Sequence, residues 1–478
     1  MYQVPHYIDN NKVFIVQRSE IEGRLEPEFY RPSIADLEKI IRGKSSHKLR
    51  DYALSVSGGA TPKKTEGDKY YADKETGVPF LRVQNLNTDG TLSFDDCLYI
   101  NKETHEGMLA RSQVSEGDLL VKITGVGRMA IASVAPEGFI GNTNQHMVVV
   151  KTGNKEISKY LARYLNLDII EKIASRHSTG GTRPALDYPS VKNLPIIEGI
   201  DFSPIDRAIE LKKQKETEAQ KLLDSIDAYI LNELGITLPK IKTDLKSRMF
   251  LVNRSELETR CDPYYSQGYF KEAFSALYRG NYPIYSIKSL SKLITSGITP
   301  KSGGEAYTDD KETGIPFIRS GNIDINGDFD FEDLLYIKPE IHETVMKSSQ
   351  VYKNDLMIAI VGATIGQVGI FLDEREANIN QAIALVRLKE GNNIQYIKEL
   401  IKSRVGQLSL NRLKRPVARA NINLEEISTI KIPLPPLAKQ QEIANHIYSI
   451  RQQAKQLQEE GKTILENAKK EVEQMIIG

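Results

Sequence analysis

Tryptophan is absent from this chain of 478 residues, and cysteine occurs only twice, at Cys97 and Cys261. Two distant cysteines in unrelated contexts form neither a disulfide framework nor a four-thiolate metal site. No apolar run approaches the roughly 18 to 20 residues that a membrane helix needs. The opening residues also lack the continuous apolar segment of a secretory signal. We therefore expect a cytoplasmic protein with no membrane partner.

The chain also lacks an excess of either charge, with 64 basic and 63 acidic residues. No field of one sign covers such a molecule, so any nucleic-acid surface must be a local patch. Residues 39–64 and 398–419 each contain seven Lys or Arg residues against a single acid. A run of this kind is more often a solvated surface than a binding site.

Motifs for catalysis are missing as well. Gly43-Lys44-Ser45 and Gly461-Lys462-Thr463 end like a phosphate-binding loop, but Glu38 and Gln456 stand where that motif needs its first glycine. The chain contains neither an H-E-x-x-H metal site nor a G-x-S-x-G nucleophile turn. We predict a non-catalytic protein with no metal site and no cofactor of its own.

One tetrad needs separate treatment. Asp262-Pro263-Tyr264-Tyr265 is similar to the acidic-Pro-aromatic motif of amino-methyltransferases. Its counterpart Glu26-Pro27-Glu28-Phe29 keeps only part of that pattern, and no glycine-rich cofactor loop precedes either. We interpret both as structural turns.

The sequence contains an internal repeat of one large unit. The stretch that begins at Phe14 recurs from Phe250, and DKETGVPFLR from Asp73 returns as DKETGIPFIR from Asp310. Further repeated pairs follow in the same order and at nearly the same spacing: Thr61-Pro62-Lys63 and Thr299-Pro300-Lys301, Ser112 and Ser349, Asn142 and Asn378. The sequence therefore predicts a tandem duplication.

Each copy has the pattern of a mixed α/β globule followed by a long helix. A short opening strand and a helical stretch precede short β-branched runs, and helix returns at residues 158–174 and 394–408. The last part of each copy has almost no Gly and is dense in Lys, Glu, Gln, Leu and Ile. The predicted organisation is an N-terminal arm at 1–11, globules at 12–203 and 248–436, long helices at 204–234 and 437–478, and a linker at 235–247.

Both long helices have the apolar spacing of a coiled coil. In the second helix, apolar or small residues alternate at steps of four and three, and the first helix repeats the steps with two polar interruptions. The predicted seam comprises Ile205, Ile209, Leu223, Ile226, Ile230, Ile443, Ile447, Ile450, Leu457 and Ile464. The alternative is that each helix packs only on its own globule.

We expect the two helices to pair in antiparallel fashion. A parallel pair would force the short linker to run back along a helix of about 45 Å. Antiparallel pairing removes that strain and predicts two similar globules at opposite ends of a rod, related by a pseudo-two-fold axis.

The repeated motifs resemble the specificity subunits of type I restriction-modification systems. The resemblance covers almost all of both copies. Its most specific parts are Gly-[Val/Ile]-Pro-Phe-[Leu/Ile]-Arg at Gly77 and Gly314, Asn-x-Asn-Gln at Asn142 and Asn378, and the proline-rich start of the second long helix at Ile432. The corresponding start of the first helix, at residues 194–199, departs from that pattern.

The resemblance implies two target recognition domains, each of which reads half of a split, asymmetric DNA sequence. It implies that the long helices are a spacer and a docking surface for two modification subunits, which restriction and translocase subunits join. The complex would use S-adenosylmethionine, ATP and Mg²⁺. Expected DNA contacts, with Arg183 and Arg419 preferred, are Lys63, Lys64, Arg82, Asn144, Gln145, Arg183, Lys301, Arg319, Gln381, Arg415 and Arg419.

Two alternatives remain open at this point. A specificity subunit of a related modification system outside type I would have the same sequence pattern. A protein-only coiled-coil scaffold would keep the seam and bind no DNA, although the basic loops of both copies argue against it.

Overall fold

A computed structural model describes residues 7, 9–45, 47–241, 244, 249–254, 260, 262–301, 304–324, 327, 329–331, 334–415 and 421–478, without the side chains of Lys64, Asp68 and Ala363. Several predicted features therefore lie outside the described residues. They are Arg419, the side chain of Lys64, positions 1–6 and 8 of the N-terminal arm, and positions 242–243 and 245–247 of the linker.

The chain divides into two compact units. Unit 1 comprises Met1–Glu216 with Leu457–Gly478, and unit 2 comprises Thr217–Gln456. Both divisions fall inside the long helices, so each unit contains one globule and a part of each helix.

Unit 1 begins with a helix and continues with short strands before its helical second half. Its elements, the last of which continues into unit 2, are α1 Pro32–Lys44, β1 His47–Lys48, α2 Leu49–Tyr52, β2 Ser55–Gly58, α3 Gly67–Tyr70, β3 Val78–Leu81, β4 Leu98–Ile100, α4 Lys102–Glu106, β5 Gln113–Ser115, β6 Leu119–Lys122, β7 Ala132–Val134, β8 Ile140–Thr143, β9 Met147–Lys151, α5 Lys155–Leu165, α6 Asp168–His177, α7 Tyr188–Lys192, β10 Pro195–Ile196 and α8 Ser203–Glu233.

Unit 2 repeats this order. Its elements, the last of which ends in unit 1, are α9 Gly268–Tyr278, β11 Ile284–Ser286, α10 Ile287–Leu290, β12 Ser291–Ser296, β13 Tyr307–Thr308, β14 Ile315–Ile318, β15 Leu335–Ile337, α11 Pro339–Glu343, β16 Gln350–Val351, β17 Leu356–Ala359, β18 Val368–Ile370, β19 Ala377–Ile379, β20 Ile383–Leu388, α12 Ile394–Lys402, α13 Arg404–Leu413, α14 Leu424–Ser428, β21 Lys431–Pro433 and α15 Leu437–Ile477.

The sheets of the two units have matching topology. Unit 1 has an antiparallel sheet in the order β2-β9-β6-β7 and a mixed sheet in the order β4-β3-β8-β5. Unit 2 has the corresponding sheets β12-β20-β17-β18 and β13-β15-β14-β19-β16, in which β13 is added at one edge. In the mixed sheets, the parallel pair is β3 with β8 and β14 with β19. The predicted duplication is therefore a duplication of fold.

The central strand of each antiparallel sheet is buried on both faces. In β6, Leu119 and Val121 join the core that contains the helices, while Leu120 joins the core between the sheets. In β17, Leu356 and Ile358 face the helices and Met357 lies in the inter-sheet core. Because successive side chains of a strand point to opposite faces, an uninterrupted apolar run suits this position.

In unit 2 the helix segments pack in antiparallel fashion. The Tyr229 ring lies 4.2 Å from the His446 ring, and one turn further along α8 the Glu233 carboxylate accepts from Lys439 Nζ at 2.6 Å. The contact position therefore moves backward along α15 as it moves forward along α8. The apolar seam residues of this unit lie in its main core: Ile226, Ile230, Ile443, Ile447 and Ile450.

The helix segments of unit 1 show the same direction. Lys215 Nζ lies 2.5 Å from Glu460 Oε2, and buried Gly461 packs against the backbone of Lys212. Ile205 shares a core with Leu465 and residues nearer the end of α15. The predicted fold class, a mixed α/β protein with an internal repeat and paired antiparallel long helices, is confirmed. The helix ends also pack on the globules, so the two alternative packings occur together.

Two details of the sequence prediction are wrong. Each helix expected at 158–174 and 394–408 is two helices, because Asn166 and Ser403 interrupt them. The Asn166 side chain bonds both backbone groups of Ala132, and Ser403 begins α13 by accepting from Val405 N. The expected opening strand is also absent, since no strand precedes α1 in the described part of the chain. No helix among the described residues is long and apolar enough to cross a membrane.

Lys469 provides a test of helix packing in unit 1. Its side chain is 9% exposed and its Nζ donates to Thr88 O at 2.8 Å. Burial lowers the pKa of Lys469 to about 8. Between pH 8 and pH 10.5 the unfolded chain then binds more protons than the folded chain, so this residue makes the unfolding free energy rise with pH.

We expect Lys469→Met to remove that contribution, which is at most about 1.4 kcal/mol per pH unit. Urea unfolding of both proteins at several pH values between 8 and 9.5 measures it. Lys470→Met, at the exposed neighbouring position, is the control and should keep the wild-type slope. Equal slopes in all three proteins would contradict the buried position of Lys469.

Candidate nucleic-acid interface

Two loops of unit 1 meet beyond the ends of its sheets. The first follows β2 and contains Thr61 and Lys63, and the second is the turn between β8 and β9. The Thr61 hydroxyl contacts Gln145 Oε1. Gly59 permits this approach, since a Cβ atom there would lie 1.7 Å from Thr143 O. The repeated Thr-Pro-Lys and Asn-x-Asn-Gln motifs are thus two sides of one loop cluster.

Unit 2 builds the same cluster. The Thr299 hydroxyl contacts Gln381 Oε1, and a Cβ atom on Gly297 would lie 1.6 Å from Ile379 O. Lys301 is exposed there, as Lys63 is in unit 1. The duplication has therefore preserved this arrangement together with the fold.

The asparagines of Asn-x-Asn-Gln support the cluster from beneath. Asn142 and Asn378 are fully buried, and their Nδ2 atoms donate to Leu109 O at 2.8 Å and Met346 O at 2.9 Å. Asn144 is 7% exposed and its Oδ1 accepts from His146 N at 3.1 Å. This geometry favours a scaffold role for Asn144, whereas Gln145 and Gln381 are exposed.

A third loop of unit 1 adds Arg183 to the cluster. The loop is closed by two backbone hydrogen bonds of 2.8 Å between Thr179 and Ala185, and Gly125 N donates to Pro184 O at 3.0 Å. Arg183 is exposed at its tip. Thr124 N donates to His146 O at 3.3 Å, so neighbouring residues 124 and 125 contact the β8–β9 turn and the Arg183 loop respectively. Burial and the nearby charge of Arg183 lower the pKa of His146.

After α13, the chain of unit 2 makes the same backbone contact that unit 1 makes after its Arg183 loop. Leu186 N donates to Ile123 O at 2.7 Å in unit 1, and Ile422 N donates to Ile360 O at 3.0 Å in unit 2. Arg415, which precedes this return, pairs with Glu426 at 2.9 Å.

The arginines of the Gly-x-Pro-Phe-x-Arg motif begin short turns after β3 and β14. Arg82 N donates to Asn85 Oδ1 at 2.7 Å, and Arg319 N donates to Asn322 Oδ1 at 2.9 Å. The Arg82 side chain is 21% exposed and pairs with Asp96 at 3.0 Å. Most of the charge of Arg82 is thus already compensated.

The basic run at 398–419 is not one surface. Lys398 and Arg412 pack within unit 2, and burial lowers the pKa of Lys402 to about 8. By contrast, among the described residues no ion pair involves Lys63, Arg183 or Lys301. Among the predicted DNA contacts, these three are therefore exposed cations without an ion pair in the described part of the chain. Sequence reasoning missed His146, although its place beside Asn-x-Asn-Gln was visible.

The fold and these loops define a duplicated α/β protein with one polar, partly basic loop cluster in each unit. Residues 279–466 match the family described as type I restriction modification DNA specificity domain. The resemblance inferred from the repeated motifs is confirmed.

Individual relatives match more distantly. The specificity subunit of the type I restriction enzyme EcoBI from Escherichia coli is 33% identical over 140 residues, and this chain spans 29% of that protein's length. A solved type I R-M chain, described for complex assembly and conformational transition, has 14% identity and a TM-score of 0.44 over 90% of this chain and 95% of its own. The HsdS subunit from Thermoanaerobacter tengcongensis has 13% identity and a TM-score of 0.36 over the same shares.

The close approach at Gly59 predicts that Gly59→Ala disturbs the loop cluster. The added methyl group cannot fit beside Thr143 O, so we expect a loss of about 1 to 3 kcal/mol of unfolding free energy in chemical denaturation. Gly43→Ala is the control, because a Cβ atom there meets nothing within 4 Å. Equal stability of Gly59→Ala and wild type would show that the two loops do not touch.

Proposed function

We propose that this chain is a specificity subunit that recognises a split, asymmetric sequence in double-stranded DNA. Each unit reads one half through its own loop cluster. The observation that carries this proposal is the repeated cluster, in which an exposed lysine and an exposed glutamine lie over the same supporting contacts in both units.

The chemistry of these side chains suits DNA. Lysine and arginine neutralise phosphates, while arginine and glutamine also read base edges in the major groove. Lys63, Gln145 and Arg183 lie on neighbouring loops in unit 1, and Lys301 and Gln381 lie on neighbouring loops in unit 2. The two units differ in the residues around these positions, so the two half-sequences should differ as well.

Arg82, Arg319, Arg415, Asn144, Lys64 and Arg419 belong to the proposal with lower priority. Arg82 and Arg415 would have to leave carboxylate partners before they contact DNA. Asn144 supports its own turn. The side chain of Lys64 and the whole of Arg419 lie outside the described residues.

We extend the proposal to partners through the family. The paired long helices would dock two modification subunits, and restriction subunits would join them. The chain would direct adenine methylation without contributing catalytic residues. S-adenosylmethionine, ATP and Mg²⁺ would be bound by those subunits.

Replacement of the exposed cations tests the proposal. We expect Arg183→Ala to cost about 1 to 3 kcal/mol in DNA binding if the guanidinium reads a base, with relaxed preference at one position of one half-sequence. A phosphate contact would instead weaken binding uniformly and make the salt slope shallower by about 0.9. Lys301→Ala should act on the other half-sequence.

The target is first obtained by sequencing methylated sites in cells that contain the chain and its modification subunit. Affinities are then measured by titration at several salt concentrations. Arg111→Ala removes an exposed arginine elsewhere in unit 1 and is the matched control. Unchanged affinity and preference in both Arg183→Ala and Lys301→Ala would refute the loop-cluster interface.

A further inference from the structure

Two arginines share one aromatic ring near the beginning of unit 1. The guanidinium carbons of Arg24 and Arg176 lie 4.7 Å and 4.3 Å from the centroid of the Phe29 ring. Phe29 is 4% exposed, so this contact is made inside the unit. A cation over a partly desolvated ring is a favourable interaction. We call these three residues the arginine cluster of unit 1.

Unit 2 contains the same arrangement. The guanidinium carbons of Arg260 and Arg412 lie 4.9 Å and 3.9 Å from the Tyr265 ring centroid. The three positions of this arginine cluster correspond to those of unit 1 in the register that relates Phe250 to Phe14. The aromatic residues are the last members of the two acidic-Pro-x-aromatic tetrads, which the DNA-contact proposal leaves without a role.

The contacts of the second arginine differ between the units. Glu38 pairs with Arg176 in unit 1, but its counterpart in the same register is Phe274, whose ring lies 5.4 Å from Arg412. The first arginine pairs with the acidic residue of its own tetrad in both units, Arg24 with Glu26 at 3.3 Å and Arg260 with Asp262 at 2.7 Å. The shared part is therefore the two arginines, the ring and this acidic residue.

The first arginine of each cluster binds the end of a helix. In unit 1, Arg24 donates to His177 O at 3.3 Å and to Ser178 O at 2.7 Å. In unit 2, Arg260 donates to Leu413 O at 2.7 Å. The last carbonyl groups of a helix have no partner within it, and positive charge there is stabilising.

The second arginine lies on the helix and donates back to the backbone of the aromatic residue. Arg176 Nε donates to Phe29 O at 2.6 Å, and Arg412 Nε donates to Tyr265 O at 3.2 Å. Burial raises the pKa of Glu38, but the contacts of His177, Arg176 and Arg42 outweigh it and hold this pKa at about 2. The carboxylate that fixes Arg176 is therefore ionised throughout the neutral range.

The bound helix end is the start of the Arg183 loop. Only Ser178 separates the end of α6 from Thr179, whose backbone closes the loop against Ala185. Because the loop is short, the position of the helix end determines where Arg183 lies. In unit 2, Lys414 and Arg415 follow α13 directly.

We propose that Arg24 and Arg260 are positioning residues: Arg24 fixes the Arg183 loop of unit 1 by binding the end of the preceding helix, and Arg260 fixes the end of α13 in unit 2. The proposal rests on the proposed function for its DNA-binding part. Arg24 and Arg260 thus connect the beginning of each copy to the end of a helix. Loss of Arg24 should impair one half-sequence and loss of Arg260 the other.

Hydrogen–deuterium exchange on the full chain tests directly whether Arg24 stabilises the Arg183 loop. In Arg24→Gln we expect the amides of Thr179 and Ala185 to exchange at least about tenfold faster, because two charge-assisted hydrogen bonds are lost. The amides of β9 should keep their wild-type rates. Arg18→Gln removes the same charge from an exposed position of the same segment and should leave all these amides unchanged.

A second pair of variants separates the ring contact from a general loss of folding. Phe29→Tyr introduces the aromatic residue that unit 2 uses and should keep the wild-type exchange of Thr179 and Ala185. Phe29→Leu should accelerate it. Wild-type exchange at Thr179 and Ala185 in Arg24→Gln, or acceleration that extends equally to β9, would overturn the positioning role.

DNA titration of the same proteins separates the two proposals. Arg24→Gln should lose discrimination in the half-sequence affected by Arg183→Ala, whereas Arg260→Gln should lose it in the other half. If the wild-type chain and its modification subunit bind no specific DNA, the proposed function fails. The exchange result would still show whether Arg24 holds the Arg183 loop. Faster exchange with unchanged discrimination would overturn the link from the arginine cluster to recognition.

Discussion

Burial of the central strands on both faces is the constraint on which each unit depends. Strand β6 in unit 1 and strand β17 in unit 2 send alternate side chains into a helix-covered core and an inter-sheet core. Two layers must therefore cover each sheet, and the connections between layers emerge together beyond the strand ends. The loop clusters that contain Lys63 and Lys301 are a consequence of this layering.

Close packing of these connections selects particular residues. Glycine is required at Gly59 and Gly297 because the neighbouring carbonyl oxygen leaves no room for a Cβ atom. The hydrogen-bonded asparagines beneath the turn place the following glutamine at the surface. The same supports in both units hold different neighbouring residues, which is how one duplicated fold can present two different recognition surfaces.

The distribution of charge follows from the same packing. A molecule with nearly balanced charge has no general attraction for nucleic acid, so its binding must come from a few cations that stay exposed. Arg176 and Arg412 instead pack on aromatic rings, Lys469 is buried, and Lys402 is partly buried within its unit. Some basic residues of the chain are therefore structural, whereas Lys63, Arg183 and Lys301 stay accessible.

The duplication, the mixed α/β class and the paired long helices were determined by the sequence itself, because repeated motifs and apolar spacing are local patterns that survive in a linear string. The breaks at Asn166 and Ser403 could not be predicted in this way, since a contact with Ala132 and a helix start at Arg404 decide them. Only the tertiary structure decided that Arg82 and Arg415 pair with acids while Arg183 is exposed. The physical reason is that an ion pair depends on which carboxylate folding brings within reach, and these partners lie 11 to 14 residues away along the chain.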